Sequence, residues 1–376
     1  MDAFYVSCEL KRRPELKGQP VAVSADPKGG KGRGVVLSAS YEARKFGLRS
    51  ALPVSQAYAL CPSYIWVLPD FPFYEENSKD VMALLTARSP QARTFSIDEA
   101  AYPWEGGDPA GAEREGRELQ KDVRERFDLP CSIGIGPSLT VAKIASDRAK
   151  PGGVVVVPPD SVRSFLASLP TRAIPGIGKV TEEELARVGV ATIGQMAELP
   201  VERLRKALGA MAPGMSDLAR GVVREEPWPD EEGPRSMGAM STFDTDSSDP
   251  KEVREEVDRL ARALAESVQR QGRRFRTVTL RVRRSDFQQL QRSRTLPQRT
   301  ENTETLVRGA LQLLDQVLSE LAQDIRTPPP SLEEPPPTGP PRSRPARWGI
   351  RTVGVSVADL AEGSPSQKSL DRFASD

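Results

Sequence analysis

Two adjacent carboxylates, Asp98 and Glu99, lie in the otherwise apolar segment S-I-D-E-A at 96–100. Neighbouring side chains of a regular strand point to opposite faces, so this pair can share a ligand only at a strand end, a bulge or a turn. The chain has no histidine. A metal bound here would therefore take carboxylate and backbone oxygens, which suit a hard ion such as Mg²⁺. One exposed acid beside one capping acid is the alternative that the segment alone leaves open.

Three further residues have types and positions that suit an anionic ligand. Tyr41 and Arg44 are three residues apart in a predicted helix and would share one face of it. The forked guanidinium of arginine matches the oxygens of a phosphate. Lys150 ends another predicted helix, directly before Pro151. Without their surroundings, Arg44 and Lys150 are equally compatible with ordinary surface charges.

Composition excludes several kinds of chemistry. The absence of histidine excludes a Ser-His nucleophile and a histidine-ligated zinc. Cys8, Cys61 and Cys131 are far apart and form no C-x-x-C pair, so neither a zinc site nor a disulfide framework is indicated. The sequence shows no apolar run long enough to span a membrane and no secretion signal, and we therefore expect a cytoplasmic protein.

Positive charge is concentrated in one part of a chain that is nearly neutral overall. The formal net charge is +1, from 53 basic and 52 acidic residues. Residues 270–299 contain ten arginines and one acid. Alternation predicts a strand there with Arg281 and Arg283 facing outward, and Arg292 and Arg294 repeat that spacing on the following strand. The pattern predicts a cationic sheet surface, although a basic stretch is also typical of a solvated face.

The elements that would position these residues alternate between strand and helix in the first part of the chain. The predicted strands are 19–25, 33–40, 93–102, 131–136 and 154–157, and the predicted helices are 74–88, 112–126 and 140–150. A further strand is expected at the start of the chain, with Tyr5 and Phe4 on opposite faces. This mixed order indicates an α+β unit.

The rest of the chain is expected to form a helical segment and a second α/β unit. Residues 160–228 contain only helical patterns, and the acidic, Pro- and Gly-rich stretch 225–238 is typical of a linker. A helix capped by Asp249 follows, and the later predicted elements are strand 277–283, helix 303–325 and strand 350–357. Nine prolines within 327–347 predict an extended insertion, either a passive loop or a docking segment.

Seven motifs together resemble those of Y-family DNA polymerases of the DinB branch, in order and in spacing. They are M-D-A-F-Y-V-S-C-E (1–9), S-A-S-Y-E-A-R-K-F-G (38–47), S-I-D-E-A (96–100), G-I-G…A-K-I-A-S-D…A-K-P-G-G (134–153), I-P-G-I-G-K (174–179), S-M-G-A-M-S-T-F (236–243) and T-V-T-L-R-V-R…R-S-R-T-L (277–296). The resemblance covers roughly residues 1–360, and its specificity lies in the co-occurrence of the motifs.

The resemblance implies an α+β multidomain, right-hand polymerase with palm, fingers, a helical thumb containing a helix-hairpin-helix, and an α/β little finger. The implied boundaries are 1–11 and 70–158 for the palm, 12–69 for the fingers, 159–228 for the thumb, 229–235 for a linker, 236–360 for the little finger and 361–376 for a clamp-binding tail.

The resemblance also implies the activity: template-directed DNA synthesis of low fidelity that copies damaged template. Its partners would be primer-template DNA and dNTPs. No motif indicates the oligomeric state, and a monomer is the default expectation. Asp98 and Glu99 would hold two Mg²⁺ ions. Tyr5 matches the steric gate, the ring that excludes a 2′-hydroxyl, although a plain core aromatic is its alternative. The triphosphate contacts would be Tyr41, Arg44 and Lys150.

Two further sets of residues would bind DNA in this family. Gly176 and Gly178 lie in the hairpin I-P-G-I-G, where glycine lets backbone N–H groups approach a phosphate closely. The arginines at 281, 283, 292 and 294 (Arg281, Arg283, Arg292 and Arg294) would lie along the template and primer backbones, in contacts that are independent of sequence and sensitive to salt.

The C-terminal segment Q-K-S-L-D-R-F resembles a sliding-clamp box of the PCNA type. Gln367, Leu370 and Phe373 match its Q-x-x-L-x-x-F spacing, and the last two would share one face of a helical turn. Ala374 stands where the box usually ends in an aromatic residue. A bacterial-type clamp is the alternative.

The first motif departs from the family pattern D-x-D-x-F-Y, whose first aspartate is a metal ligand. Met1 occupies the middle position and Asp2 the second aspartate, so the first aspartate is absent and would precede Met1. We interpret Met1 as an internal methionine of a longer reading frame, with its carbonyl as a substitute ligand in this chain. The alternative is a non-catalytic DNA- and clamp-binding adaptor that keeps the polymerase fold. A second departure is Ala101-Tyr102-Pro103 after the acidic pair, where proline would end the strand early.

A chain extended by a short strand-forming segment ending in Asp before Met1 is expected to polymerise roughly 10²–10³-fold faster than this chain, because a ligand worth ~3–4 kcal/mol at the transition state is restored. Primer extension with Mg²⁺ and dNTPs measures the rate, with the extended form carrying Glu99→Ala as the control. An extended form that binds primer-template yet adds no nucleotide would favour the adaptor instead.

Overall fold

The computed structural model describes residues 1–222, 233–326 and 349–362. The chain divides into two compact units, Met1–Glu231 and Glu232–Asp376. The proline-rich insertion at 327–347, most of the predicted linker and the predicted clamp box lie outside the described residues. Within the described ranges no helix is long and apolar enough to cross a membrane.

The first unit begins with a helix, α1 (Phe4–Arg12), and the prediction of a strand holding Tyr5 is wrong. Ala3 adopts a left-handed conformation, with φ 43° and ψ 46°, and turns the chain into the helix. Phe4 and Cys8, four residues apart, are both buried on its inner side. Phe4 and Tyr5 are therefore neighbours on a helix, with Phe4 buried, and do not lie on the two faces of a strand.

A three-stranded sheet follows, with two short helices beside it. Its elements are β1 (Val21–Ser24), β2 (Val36–Ala39), α2 (Tyr41–Arg44), α3 (Val54–Leu60) and β3 (Ile65–Val67). The strand order is β2-β1-β3, with β1 antiparallel to β2 and parallel to β3. The strands predicted at 19–25 and 33–40 and the helix predicted after Ser40 are confirmed. The Ser40 hydroxyl caps α2 by accepting the Ala43 N–H at 3.1 Å.

The acidic pair lies in a hairpin and not in the single strand predicted over 93–102. The elements here are α4 (Phe71–Arg88), β4 (Arg93–Ser96), β5 (Glu99–Ala101), α5 (Pro109–Phe127), β6 (Ile133–Ile135), α6 (Leu139–Ala149) and β7 (Val154–Val156). β4 and β5 are antiparallel, with Ser96 paired to Glu99 across a turn at residues 97–98. Because the turn includes Asp98, the Asp98 and Glu99 carboxylates need not point to opposite faces, as they would in a regular strand.

The last part of the first unit is helical, as predicted for 160–228. Its helices are α7 (Val162–Ala167), α8 (Lys179–Arg187), α9 (Ile193–Glu198), α10 (Val201–Leu208) and α11 (Ala212–Ala219). Over residues 160–222, the part of the segment that the structure describes, there is no strand. Its apolar core is continuous with Val141 and Ile144 of α6.

The second unit is a sheet covered on one face by two long helices. Its elements are β8 (Ser236–Ser247), α12 (Pro250–Arg270), β9 (Arg273–Arg284), β10 (Gln289–Thr300), α13 (Thr303–Arg326), β11 (Ile350–Ala358) and β12 (Ala361–Glu362). The order is β10-β9-β11-β8, all antiparallel, and β12 pairs with β9. Val278, Leu280 and Val282 of β9 are fully buried against the helices, as the alternation predicts.

The register of β10 corrects the prediction that four arginines share the outer face of this sheet. Arg292 pairs with Leu280 and Arg294 with Val278, both of which face the helices. Arg292 accordingly forms an ion pair with Glu320 of α13 through its Nε at 2.9 Å, and Arg294 donates to Gln312 of the same helix. The residues of β10 that lie opposite Arg281 and Arg283 are Gln291 and Gln289.

Gly134→Ala is expected to lower the free energy of unfolding by about 3 kcal/mol, since overpacking against a backbone that lacks room typically has this size. A Cβ at Gly134 would lie 2.1 Å from the Ala142 carbonyl oxygen and 2.1 Å from the Ser146 nitrogen, so β6 and α6 would have to separate. Denaturant unfolding followed by circular dichroism measures the change. Gly214→Ala in α11 is the control, because a Cβ there meets no atom within 4 Å. Equal unfolding midpoints for both variants would contradict the close packing.

Candidate active site

A cleft of about 320 Å³ in the first unit brings together most of the residues predicted to do chemistry. Tyr5, Tyr41, Arg44, Asp98 and Lys150 all line it. They come from α1, α2, the β4–β5 turn and the residue after α6. Residues more than 140 positions apart in sequence thus share one concave surface.

The acidic pair presents its two carboxylates differently. The Asp98 carboxylate lines the cleft and accepts the Ser96 hydroxyl at 2.9 Å. The Met1 ammonium donates to the Asp98 backbone carbonyl at 2.6 Å. The Glu99 carboxylate forms an ion pair with Lys143 of α6, and both side chains are about two-fifths exposed, at 39% and 35%. Because both groups reach water, this pair contributes little to stability and its partners can exchange.

Lys143 is a residue of the site that sequence reasoning missed. By itself a lysine on a helix is indistinguishable from a surface charge. Two signals were available. Lys143 lies inside the motif A-K-I-A-S-D, and it is four residues before Asp147 and seven before Lys150, a spacing that places the three residues on one side of the helix.

The donor set at the hairpin fits a hard divalent cation. Asp98 and Glu99 supply carboxylate oxygens, and Met1, which lines the same cleft as Asp98, has a backbone carbonyl; these are the ligand types that Mg²⁺ takes. In the described ranges, no group of three or more His, Cys, Asp or Glu side chains could hold a metal ion. The two carboxylates and backbone oxygens would therefore have to share the coordination with waters or with substrate oxygens.

Tyr5 projects from α1 into the cleft with aromatic rings behind it. Its ring centroid lies 4.8 Å from that of Tyr74 at an interplanar angle of 31°, and 6.1 Å from that of Phe71, edge-on. Burial, and then the negative charge of Asp98, raises the pKa of the Tyr5 hydroxyl. Tyr5 therefore stays a neutral ring at the cleft wall.

Tyr41 and Arg44 form a stacked pair on α2, as their spacing predicts. The Arg44 guanidinium lies 4.6 Å from the Tyr41 ring centroid, and its Nε donates to the Ala39 carbonyl at 3.0 Å. The two terminal nitrogens of Arg44 have no protein partner in the described residues. The Tyr41 hydroxyl is buried and also lacks one there. Arg44 therefore offers unused donors at the cleft, and the Tyr41 hydroxyl is a buried donor without a protein acceptor among the described residues.

Lys150 is held at the cleft by Asp147. Its Nζ donates to Asp147 Oδ1 at 2.6 Å. Burial lowers the pKa of Lys150, but the hydrogen bond and charge of Asp147 outweigh this and leave that pKa above its ordinary value. Lys150 therefore carries its positive charge throughout the neutral range.

Asp2 anchors the start of the chain beneath the cleft. Its side chain is 1% exposed, and its Oδ2 accepts the Ser132 hydroxyl at 2.7 Å and the Gly152 N–H at 2.8 Å. These bonds connect the residue before Ala3 to the start of β6 and to the loop after α6. The left-handed turn that begins α1 thereby acquires a fixed position relative to Lys150.

The predicted hairpin precedes α8 in the helical part of the first unit. Ile174 and Ile177 are buried, at 1% and 4% exposure, while Gly176 and Gly178 have open space where a Cβ would be. Gly176 has a φ of 91°, which glycine adopts without strain. Gly178 is the N-cap of α8 and offers no side chain to the first N–H groups of that helix. The first N–H groups of α8 therefore receive no side-chain acceptor from their N-cap residue.

In the second unit, Arg281 and Arg283 lie on the sheet face that the helices leave uncovered. Arg281 donates to the Gln291 side chain at 3.2 Å and Arg283 to that of Gln289 at 3.3 Å. Thr279 and Ser293 continue the same face with a hydroxyl contact of 2.8 Å. The surface is polar and holds two of the four arginines predicted for it, because Arg292 and Arg294 lie on the helix side.

Protein-family models match most of the chain. Residues 1–147 match the impB/mucB/samB family, residues 159–190 its helix-hairpin-helix motif, and residues 234–370 its C-terminal domain. A DNA polymerase IV of Methanoculleus marisnigri is 39% identical over 376 residues, covering 100% of this chain and 97% of the relative. A DNA polymerase IV of Streptomyces coelicolor is 38% identical, covering 96% of this chain and 70% of the relative.

The chain is a Y-family DNA polymerase of the DinB type. Among solved structures, a Y-family DNA polymerase chimera of Dbh and Dpo4 has the same fold, with a TM-score of 0.81 at 24% identity, covering 96% of this chain and 98% of the chimera. The predicted multidomain α+β polymerase fold and the predicted low-fidelity, DNA-directed DNA polymerase activity are confirmed at this level. The alternative of a non-catalytic adaptor is not supported. The polymerase belongs to a family that depends on divalent metal ions.

Proposed function

We propose that the cleft of the first unit transfers a deoxynucleoside monophosphate from a dNTP to the 3′-end of a primer paired to template DNA, with two Mg²⁺ ions held at Asp98 and Glu99. The observation that carries this proposal is the position of Arg44, Lys150 and Tyr41 around the same cleft as Asp98. The same cleft thus offers cations for a triphosphate and, at Asp98, a carboxylate for a metal ion, with Glu99 next to it in the chain.

The reaction itself needs positioning more than covalent help from the protein. The primer 3′-oxygen bonds to the α-phosphorus, the bond from that phosphorus to the bridging oxygen breaks, and pyrophosphate leaves. Bound Mg²⁺ would activate the 3′-hydroxyl and neutralise charge on the triphosphate. Arg44 and Lys150 would hold the triphosphate oxygens, and the Tyr41 hydroxyl would donate to them.

Tyr5 would set the choice of sugar. A neutral ring that is packed from behind presents a fixed apolar wall, and a 2′-hydroxyl placed against it would lose its hydrogen bonds and collide with the ring. The ring contacts with Tyr74 and Phe71 support this role, because they leave the Tyr5 ring little room to retreat.

DNA would be held by two surfaces that do not read sequence. The N–H groups at the start of α8, beside Gly176 and Gly178, suit a phosphate oxygen. Arg281 and Arg283 would contact the backbone from the open sheet face of the second unit. Arg292 and Arg294 are not included, since their guanidinium groups bond to α13.

We further propose that Gln367, Leu370 and Phe373 bind a sliding clamp of the PCNA type and that the polymerase acts as a monomer. The support for the clamp is the sequence pattern alone. A bacterial-type clamp is the alternative partner, and direct binding assays with the two clamps would distinguish them.

Glu99→Gln is expected to slow single-nucleotide incorporation about 10²–10³-fold, because it removes a carboxylate that would hold the metal ions at the transition state. Affinity for primer-template should stay within about twofold of the parent, since phosphate contacts supply that affinity. Rapid-quench kinetics and fluorescence anisotropy measure the two quantities.

The matched control is Glu113→Gln, which makes the same change on the exposed surface of α5, where the Glu113 side chain is 48% exposed. It should leave both rate and affinity unchanged. A Glu99→Gln protein that incorporates nucleotide at the parent rate would contradict the assignment of Glu99 as a metal ligand.

Gly178→Asp is expected to weaken DNA binding about tenfold, because a carboxylate at the N-cap would compete with a phosphate for the N–H groups of α8. The fold should be unharmed, since aspartate is a favoured N-cap and a Cβ at Gly178 meets no atom within 4 Å. Gly214→Asp, which adds the same charge to α11 where a Cβ also meets nothing, is the control. Equal DNA affinity for the two variants would remove the hairpin from the DNA interface.

A further inference from the structure

Tyr74 of α4 lies directly behind Tyr5 and is completely buried. Its exposed fraction is 0%, and its ring lies 4.8 Å from the Tyr5 ring at an angle of 31°. Phe71 meets both rings edge-on, at 6.1 Å from Tyr5 and 6.2 Å from Tyr74. The depth and tilt of the Tyr5 ring therefore depend on where the Tyr74 ring lies.

A hydrogen bond fixes the Tyr74 ring at its other end. The Tyr74 hydroxyl donates to Glu9 Oε1 at 2.7 Å. Burial, and then the bond to Glu9, raises the pKa of Tyr74, so the hydroxyl remains a donor. Packing alone limits how far a ring can move, but a directional bond at its para position also limits how the ring tilts.

Glu9 can do this because its carboxylate is itself held rigidly. Its side chain is 0% exposed, and Arg12 donates to both oxygens, with Nε to Oε2 at 2.9 Å and Nη2 to Oε1 at 2.7 Å. Arg12 also donates to Asp70 at 2.8 Å. Asp70 in turn caps the start of α4 by accepting the Phe73 N–H at 3.2 Å.

The network connects the two helices that carry the stacked rings. Glu9 lies on α1 one turn after Tyr5, and Asp70 caps the helix that carries Tyr74. A buried carboxylate costs free energy unless it is paired and hydrogen-bonded. An apolar pair would fill the same space without that cost, but it would leave the ring angle free.

We propose that Tyr74 is a positioning residue for sugar selectivity: its bond to Glu9 and its contact with Tyr5 set the Tyr5 ring at the depth that admits a deoxyribose and excludes a ribose. The proposal rests on the proposed role of Tyr5. Tyr74 acts through Tyr5 and does not itself touch the nucleotide.

The test measures the ratio of kcat/KM for dATP to kcat/KM for ATP, opposite template dT, in the full chain. Tyr74→Phe keeps the ring and removes the bond to Glu9, and it should lower the ratio about threefold; Tyr74→Leu also removes the ring and should lower it about tenfold or more. A loss of folded protein lowers both kcat/KM values equally and leaves the ratio unchanged, so the ratio separates positioning from stability.

The chain supplies a matched control in a second tyrosine of the same unit. The Tyr102 hydroxyl donates to Glu115 at 2.7 Å, and Arg88 pairs with that glutamate at 2.8 Å, so the arrangement repeats Tyr74, Glu9 and Arg12 in kind. Tyr102→Phe breaks the same bond without touching Tyr5. Its ratio should stay within about twofold of the parent, and an equal loss in both phenylalanine variants would overturn the proposal.

Tyr5→Ala separates the failure of this inference from the failure of the proposed site. If Tyr5→Ala leaves the ratio unchanged, Tyr5 is not the sugar gate, and both assignments fail. If Tyr5→Ala lowers the ratio and neither Tyr74 variant does, the gate stands and the role of Tyr74 is overturned. Tyr74→Phe keeps the test decisive if Tyr74→Leu does not fold.

Discussion

Charged side chains of both signs lie close together around the cleft, and their ion pairs must remain able to exchange partners. The arrangement of the first unit follows from that constraint. Lys150 is paired with Asp147 and Lys143 with Glu99, in each case between side chains that water still reaches. Half-exposed ion pairs are weak and exchange their partners readily. Arg44 is held by a stacked ring and a backbone carbonyl instead, so its terminal nitrogens stay available.

Stability therefore comes from elsewhere in the unit. The apolar clusters around Tyr74, around Ile144 and around Ala22 hold the elements in place, and the charged residues extend from their edges. The close approach of β6 and α6 at Gly134 and the Ser40 cap of α2 fix backbones near the cleft at low cost. A site built in this way can change its ion pairs when substrate binds without losing its fold.

Much of the candidate site was readable from sequence, because its residues belong to short motifs whose order and spacing are specific. Tyr5, Tyr41, Arg44, Asp98 and Lys150 all line one cleft. The motifs contain Glu9 and Lys143, but they do not show which side chains these residues contact. Glu9 and Tyr74 look like an ordinary helix charge and an ordinary core aromatic until the packing of α1 against α4 brings them together. Lys143 was overlooked for the same reason.

The sequence by itself determined the spacing of apolar residues along each segment. That spacing predicted the α+β order, the helical segment after residue 160 and the buried face of β9. Only the tertiary structure decided which neighbouring segment each face meets. The left-handed turn at Ala3 and the packing against α4 make residues 4–12 a helix, and the turn at 97–98 breaks the predicted strand at the acidic pair. In the second unit, Arg283 pairs with Gln289, so odd-numbered residues of β9 lie opposite odd-numbered residues of β10 and share the outer face. The even-numbered Arg292 and Arg294 therefore face α13. Periodicity fixes the faces within one strand, whereas register is set by the connecting turn and by the surface each strand covers.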